Sequence, residues 1–270
     1  MKLSAYTPSV ARKILVYGAP KTGKTDFVGQ LAAEKKLWWF DNEDGIKTLL
    51  SSPRIKKEWL DNIELFKISD TQVSPVMVET LLRVIKGGDH AICHAHGAVA
   101  CARCKPLGAS GSTAINVGAF TNNDVLVIDS VSQLAASCMN YIQRDVILKD
   151  NYDKKADWDD YAKQGRIMDR IFSILQQAPF NVVCISHEQL VEMEDGKKRL
   201  VPIGGTSQFS KTFGKYFDDI VYCEIVNRKH KFATSTTYSG SIVLGSRTGK
   251  ELESKALEDI KTPLILELFK

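Results

Sequence analysis

A glycine-rich segment, GAPKTGKT at residues 18–25, constrains the fold of this chain more than any other part of the sequence. It lies between an apolar, strand-like run and an amphipathic, helix-like run, and its spacing fits G-x-x-x-x-G-K-S/T. In that pattern backbone N–H groups, a helix N-terminus and a lysine surround the phosphates of a nucleotide, and the final hydroxyl binds Mg²⁺. We therefore predict a site for ATP and Mg²⁺, with Thr25 as a metal ligand. The predicted nucleotide-binding residues are Gly18, Ala19, Pro20, Lys21, Thr22, Gly23, Lys24, Thr25 and Asp26.

Short apolar runs alternate with amphipathic segments along most of the chain. This alternation is typical of an α/β fold in which helices flank a mainly parallel sheet. The 270 residues, of which 44% are hydrophobic, suffice for the core of one such domain. Strands are predicted at Lys13–Tyr17, Leu37–Phe40, Ile63–Lys67, Val125–Ile128, Asn181–Ser186 and beyond Ile220, helices at Lys24–Glu34, Pro75–Lys86 and Trp158–Gln177, and a short helix followed by an apolar strand after Glu251.

The composition limits the classes of protein to consider. No apolar run approaches the roughly 20 residues that span a bilayer, and the N-terminal segment lacks the apolar stretch of a signal peptide. We therefore expect a cytoplasmic protein without a membrane partner. A net charge of +4 means that any surface for nucleic acid is local. Six cysteines in such a chain favour free thiols or metal ligands over a disulfide framework.

Two further strand-like runs end in carboxylates. The run DVLVID ends in Asp129, and because a desolvated carboxylate is costly, we predict that it reaches the Mg²⁺ bound at Thr25. The alternative is an ordinary cap of a following helix. The run LWWFDNE places Asp41 and Glu43 where open parallel sheets bind ligands, beyond the carboxyl end of a strand. We predict that Glu43 orients the attacking water, with Asp41 or a solvated acidic turn as the alternatives.

In the order of its motifs, the chain resembles the ATPase core of RecA-like recombinases, and most of all the short single-strand annealing ATPases of bacteriophages. The resemblance runs over residues 10–250 and rests on the glycine-rich loop, the D-x-E strand end, DVLVIDS, and VVCISH before a glycine-rich stretch. It implies one RecA-like ATPase domain over residues 1–270. It also implies that His187 senses the γ phosphate, where cellular recombinases usually have Gln; a buried structural histidine is the alternative. The predicted catalytic residues are Lys24, Glu43, Asp129 and His187.

The resemblance also implies a function. Such a protein binds single-stranded DNA and promotes annealing or strand exchange in phage-type recombination, as a homo-oligomer, with a single-strand binding protein as a further partner. It acts in the host cytoplasm if a phage encodes it. Two alternatives remain open: a DnaB-like helicase or packaging motor core, for whose extra domain the chain has little room, and a nucleotide-dependent regulatory protein that binds no DNA.

Residues 197–217 carry five cations and no acidic side chain. Cations on a mobile loop can follow the phosphates of a single strand, and aromatic side chains stack on bases at about 1–3 kcal/mol per base. We predict DNA contacts at Lys211 and at the loop around Gly204. The cations are Lys197, Lys198, Arg199, Lys211 and Lys215. Of the aromatic residues, Phe209, Phe213, Tyr216 and Phe217, the last three are predicted to be core residues of a helix that follows a hairpin turn at Asp195-Gly196.

A second basic stretch, residues 225–250, contains no acidic residue either. RecA-like ATPases hydrolyse ATP at subunit interfaces, where a cation of the neighbouring subunit stabilises charge on the transferred phosphoryl group. Arg228, Lys231 and Arg247 are the candidates for this cation. The alternative is a set of solvated edge-strand charges that discourage aggregation.

Residues 87–123 interrupt the α/β alternation and look like an inserted, Cys/His- and Gly-rich element. Half of the cysteines and three of the five histidines of the chain lie between Asp89 and Cys104. Two C-x-x-C/H pairs at equal spacing suit a tetrahedral Zn²⁺ site, and flanking glycines suit a small loop that has a metal in place of a core. A redox or incidental cluster is the alternative. The predicted zinc ligands are Cys93, His96, Cys101 and Cys104, with His94 as an alternative to His96.

Overall fold

A mainly parallel β-sheet with helices on both faces forms the centre of the computed structural model, which describes residues 10–149, 154–234, 241–247, 249, 252, 256–257 and 263–270. The strands are β1 (Lys13–Gly18), β2 (Lys36–Asp41), β3 (Ile63–Lys67), β4 (His90–Cys93), β5 (Ser112–Ile115), β6 (Asp124–Asp129), β7 (Asn181–Glu192), β8 (Lys198–Pro202), β9 (Asp219–Val226), β10 (Lys229–Ala233) and β11 (Gly245–Ser246). The α-helices are α1 (Lys24–Gly29), α2 (Ile46–Ser51), α3 (Lys57–Leu60), α4 (Val76–Val84), α5 (Val131–Ile147), α6 (Trp158–Gln177) and α7 (Ser207–Thr212).

The order of strands in the main sheet is β10-β9-β1-β7-β6-β2-β3, and all neighbours from β9 to β3 run parallel. The register places Gly18 of β1 beside His187 of β7, and Asp41 of β2 beside Asp129 of β6. The predicted α/β fold is therefore confirmed. The carboxyl ends of four neighbouring strands bring the predicted site residues to one edge of the sheet.

The central strands are buried on both faces, and their side chains alternate between two cores. Leu15 and Tyr17 of β1 pack in the core under α4, α5 and α6. Ile14 and Val16 pack on the opposite face, against α1, α2 and the C-terminal segment. Burial on both sides explains why these strands read as continuous apolar runs rather than as alternating ones.

The predicted strands are present with their ends shifted by one or two residues, except that β7 continues to Glu192. From Glu188 onward β7 leaves the sheet and pairs only with β8, in an antiparallel hairpin that extends past the carboxyl edge. The predicted helix over Lys24–Glu34 is a six-residue α-helix followed by a 3₁₀ helix, Gln30–Ala33. The helices predicted at Pro75–Lys86 and Trp158–Gln177 are confirmed as α4 and α6.

The prediction for the C-terminal end is wrong. Leu264–Phe269 is a 3₁₀ helix that starts after Pro263, not a strand. Ile265, Leu266 and Leu268 are buried together on the α1 side of the sheet, a pattern that alternation in a strand does not produce. Glu251 lies outside the described residues.

The element predicted at residues 87–123 lies between α4 and β6. It contains the antiparallel pair β4–β5 and two 3₁₀ segments, Lys105–Gly111 and Val117–Ala119. Across the described part of the chain, no helix has both the length and the apolar composition that crossing a bilayer requires.

Candidate active site

Two glycines allow the loop between β1 and α1 to close against the neighbouring strands. A Cβ atom at Gly18 would lie 2.1 Å from the carbonyl oxygen of Cys223 in β9. Gly23 has a φ of +84°, and a Cβ atom there would lie 3.0 Å from the ring of His230 in β10. Only glycine fits both positions, because a side chain would meet backbone in the first case and adopt a strained conformation in the second.

Lys24 begins α1 with its side chain buried against the loop. Its Nζ donates hydrogen bonds to the carbonyl oxygens of Gly18, at 2.9 Å, and of Ala19, at 2.7 Å. Burial lowers the pKa of Lys24, and nearby groups including Glu43 act in the opposite direction. The ammonium is thus held inside the predicted phosphate cradle.

Thr25 and Asp129 form the predicted metal site. The Thr25 hydroxyl donates to Asp129 Oδ2 at 3.2 Å, and Asp129 is 1% exposed. Burial, and after it the charges of Asp41 and Glu43, raise the pKa of Asp129 to about 7. Three carboxyls at one buried place are poorly neutralised by Lys24 alone, so a divalent cation fits this donor set. A Cβ atom at Gly45 would lie 2.9 Å from Asp129 Oδ2, which shows how closely the backbone approaches.

Glu43 projects into the site, whereas Asp41 shapes the turn that carries it. The carboxylate of Asp41 accepts three backbone N–H groups, from Glu43, Gly45 and Ile46, at 3.0–3.3 Å. Its oxygens are therefore occupied, and the geometry favours Glu43 as the group that orients water. The solvated acidic turn is also disfavoured, because the side chain of Glu43 is only 20% exposed.

Two side chains hold Glu43. Ser130 donates its hydroxyl to Oε1, and Nε2 of His187 lies 3.0 Å from both carboxylate oxygens. Burial acts to raise the pKa of Glu43, but the hydrogen bonds from His187 and Ser130 and nearby positive charge, including that of Lys24, together outweigh it, so that the net pKa is lowered. His187 thus contacts the predicted water-orienting residue instead of being enclosed in the core. The peptide bond between Asp129 and Ser130 is cis.

A cleft of about 450 Å³ connects these groups. Several of its lining residues were not found from the sequence, including Arg54 and His230, because their approach depends on non-local packing. Arg54 donates to the carboxylate of Asp26, and Ser52 donates to the same oxygen at 2.9 Å. The side chain of Asp26 is therefore engaged in a buried ion pair.

The predicted DNA-binding segment, residues 197–217, differs from the prediction in its loop and in the pairing of its cations. Phe213, Tyr216 and Phe217 are buried, as predicted. The loop at Gly204 is not free: its N–H donates to the buried Ser210 hydroxyl at 3.0 Å, and it packs against Phe213. Two of the five cations are paired, Arg199 with Asp195 and Lys215 with Asp169, whereas Lys197, Lys198 and Lys211 form no ion pair with a described residue.

The sequence did not predict a basic groove that lies between α5 and α6. It has a volume of about 570 Å³ and is lined by the half-exposed ring of Tyr141, by four cations and by one acidic residue, Asp145. Arg144 is paired with Glu79, and Lys163 with Asp159 and Asp160, but Arg166 and Arg170 form no ion pair with a described residue. The cations on α6 recur at intervals of three and four residues, which is the signal that could have identified this face. They are Lys163, Arg166 and Arg170.

The candidate interface cations lie at different ends of the sheet. Arg228 is at the tip of the β9–β10 hairpin with a φ of +64°, and Lys231 faces Glu224 across the strands. Arg247 donates to the backbone carbonyl of Lys215, near the amino ends of β1 and β9. None of these three lines the nucleotide cleft of its own chain.

The four predicted zinc ligands converge on one point. The ligand atoms of Cys93, His96, Cys101 and Cys104 all lie within 4.8 Å of one another. His94 instead places Nε2 3.0 Å from the hydroxyl of Thr113. The geometry therefore selects His96 over His94.

Comparison with known proteins adds two findings. A sequence model of the AAA domain family matches residues 11–256. A KaiC-like protein of the hyperthermophilic archaeon Pyrococcus horikoshii OT3 has a similar solved structure, with 14% sequence identity, a TM-score of 0.40, and coverage of 85% of this chain and 79% of that one. A similarity of this size does not indicate which substrates or partners this chain has. No curated protein matches the chain.

Proposed function

This chain belongs to the AAA domain family, and we propose that it is a P-loop ATPase of RecA-like fold that hydrolyses ATP with Mg²⁺ and binds single-stranded DNA. In this proposal the P-loop and Lys24 hold the β and γ phosphates, and Thr25 and Asp129 hold Mg²⁺. The ion would neutralise charge on the phosphates. The single observation that carries the hydrolytic part is the Glu43 carboxylate, held by His187 and Ser130 in the same cleft as Lys24.

Glu43 would orient and polarise the attacking water. Its lowered pKa keeps it ionised at neutral pH, which is the state that accepts a proton from water. His187 donates to this carboxylate and also immediately precedes the segment of β7 that leaves the sheet. We infer that a γ phosphate competes for His187, so that nucleotide state is communicated to the β7–β8 hairpin.

Single-stranded DNA is the partner that the basic surfaces favour. Arg166 and Arg170, which form no ion pair within the described part of the chain, share one groove with the half-exposed ring of Tyr141. Guanidinium groups bind phosphates bidentately, and a ring can stack on an unpaired base, which a duplex does not offer. Lys211 adds a cation beyond the groove. From the resemblance to phage annealing ATPases we propose that this binding promotes annealing or strand exchange, with a single-strand binding protein as a further partner.

A homo-oligomer would complete the active site. Arg54 is the single arginine that lines the cleft among the described residues, and it is paired with Asp26. Charge on the transferred phosphoryl group would then be stabilised by a cation of a neighbouring copy, for which Arg228, Lys231 and Arg247 remain the candidates.

The experiment that tests the function measures binding of fluorescently labelled single-stranded and duplex DNA, with and without ATP and Mg²⁺, at several salt concentrations. We expect tighter binding to the single strand than to the duplex. The logarithm of the binding constant should fall with the logarithm of the salt concentration, with a slope of about −0.7 per phosphate contact, as is typical of single strands. Arg166→Ala combined with Arg170→Ala should reduce that slope, and Lys211→Ala should reduce it less. Lys215→Ala is the matched control, because Asp169 already neutralises this lysine.

The outcomes separate the alternatives. No affinity for single-stranded DNA in any nucleotide state contradicts the recombination proposal and favours a regulatory ATPase. Unwinding of a forked duplex, instead of annealing of complementary strands, favours a helicase core. A control variant that binds as poorly as the groove variant would mean that the effect is one of net charge and not of the groove.

A further inference from the structure

We propose that Cys93, His96, Cys101 and Cys104 bind one Zn²⁺ and that this metal holds in place the corner of the sheet that carries Glu43. The metal site does not depend on the proposed function. The effect on Glu43 does, because it assumes that Glu43 acts in ATP hydrolysis.

The distances from the imidazole nitrogen to the three sulfurs fit a tetrahedral zinc site. Zn–S bonds of about 2.3 Å and Zn–N bonds of about 2.0–2.1 Å place a sulfur about 3.6 Å from the nitrogen across the metal. Nδ1 of His96 lies 3.8 Å from Sγ of Cys93, 3.6 Å from that of Cys101 and 3.4 Å from that of Cys104. Three thiolates and one imidazole form a closed donor set that leaves no open position, as in structural zinc sites.

The segment that carries Cys101 and Cys104 has little else to hold it. Between Ala100 and Ser110, Cys104 is the single buried residue among the side chains described, and Cys101 is half-buried. Leu107, the largest apolar residue of the segment, is 58% exposed. A segment without a hydrophobic core needs a cross-link to keep one conformation, and here the ligands themselves are the residues that point inward.

The turn that contains His96 and Gly97 packs directly on the end of β3. The N–H of Ser69 donates to the carbonyl oxygen of His96 at 3.2 Å, and the buried Thr80 hydroxyl donates to that of Gly97 at 2.9 Å. A Cβ atom at Gly97 would lie 2.6 Å from the carbonyl oxygen of Lys67, and the φ of this glycine is +69°. The backbones of the two segments are therefore in close contact.

The end of β3 in turn contacts the turn that carries Glu43. The N–H of Ile68 donates to the Asp41 carbonyl oxygen at 2.8 Å, and Asn42 Nδ2 donates to Asp70 Oδ2 at 3.0 Å. The N–H of Asn42 also donates to the carbonyl oxygen of Asp129 at 2.7 Å. Asn42, next to Glu43 in the chain, thus links the metal-bearing element to the predicted catalytic carboxylates. It is a positioning residue and does not itself face the nucleotide cleft.

Metal analysis tests the site directly. Protein purified without added metal should contain about one zinc per chain, and Cys101→Ser combined with Cys104→Ser should contain none. His94→Ala is the matched control and should keep its zinc, because His94 lies outside the cluster. Co²⁺ exchanged into the native protein should show the visible absorption of a tetrahedral thiolate site. A native protein with no zinc, a disulfide between two of these cysteines, or zinc lost in His94→Ala would overturn the assignment.

The role of the metal is tested on the native chain after a chelator has removed zinc. We expect kcat for ATP hydrolysis to fall about tenfold or more, since small displacements of a catalytic group have effects of this size, while nucleotide affinity stays unchanged and readded zinc restores kcat. Asn42→Ala should show the same loss of kcat with zinc retained. Equal kcat with and without zinc refutes the positioning role. A zinc-loaded protein that hydrolyses no ATP contradicts the proposed function instead, and zinc content would still decide the metal site.

Discussion

Replacing Asp129 by Asn should stabilise the nucleotide-free protein, even though it should remove a proposed Mg²⁺ ligand. The carboxyl is fully buried, and its pKa is raised to about 7 from an ordinary value of 3.8. A carboxyl with a higher pKa in the folded state binds its proton more tightly there, so the fold loses stability as the pH rises from the unfolded pKa through the folded one. The amide of the Asp129→Asn variant does not titrate, so the variant should escape this loss.

The size of the effect follows from the two pKa values. At about 1.36 kcal/mol per pKa unit, the loss in the wild type is under about 1 kcal/mol at pH 4, about 3 kcal/mol at pH 6 and about 4 kcal/mol at pH 8. Each kcal/mol shifts the melting temperature of a chain of this size by about 2 °C. The gain in Tm of Asp129→Asn over the wild type should therefore increase from near zero at pH 4 to several degrees at pH 8.

Thermal unfolding followed by circular dichroism, without nucleotide or Mg²⁺, measures this difference at each pH. Asp41→Asn has two opposing effects: it relieves the repulsion at Asp129, but an amide satisfies less well the three backbone N–H groups that the Asp41 carboxylate accepts, and this second effect should be the larger. We expect Asp41→Asn to lower Tm. If Asp129→Asn melts at or below the wild-type temperature at pH 8, the carboxyl is not destabilised by burial and by its acidic neighbours.

Three further substitutions test other parts of the site. Lys24→Ala should abolish ATP binding, measured by calorimetry, because the cation that faces the phosphates is lost; wild-type affinity would contradict the P-loop assignment. Glu43→Gln should keep ATP binding and slow steady-state hydrolysis by about 10²–10⁴-fold, and normal turnover would assign the role to another group. Arg54→Ala should destabilise the fold by about 3 kcal/mol in urea unfolding, because it leaves the Asp26 carboxylate buried and unpaired. A midpoint unchanged from the wild type would show that this ion pair adds no stability.

Local patterns allowed much of the fold to be predicted. The β1 strand, the glycine-rich loop and the start of α1 are adjacent in sequence, so spacing alone identifies them. The predicted zinc ligands lie within twelve positions of one another, and their spacing predicted the set that the structure brings together. Helix α5 was missed although Ser130 and Gln133 fit the capping pattern S-x-x-Q, and the Ser130 hydroxyl accepts the N–H of Gln133.

What could not be predicted depends on the register and order of the strands. That β7 lies beside β1 brings His187 to the P-loop edge, yet the two strands are more than 160 residues apart in the chain. The pairing of Arg54 with Asp26, and of Ser130 with Glu43, likewise requires the packing of separate elements. The free loop at Gly204 was inferred from composition, which does not show that a neighbouring hydroxyl and an aromatic ring hold the glycine in place.

The ammonium of Lys24 donates two hydrogen bonds to carbonyl oxygens of its own loop. These carbonyl oxygens therefore compete with a bound nucleotide for the ammonium. An incoming nucleotide must displace these partners, which lie at 2.9 and 2.7 Å. A phosphate chain can do so because it offers the ammonium a charged acceptor, whereas a nucleoside cannot. We therefore expect the loop to select for the phosphates independently of the base and the sugar.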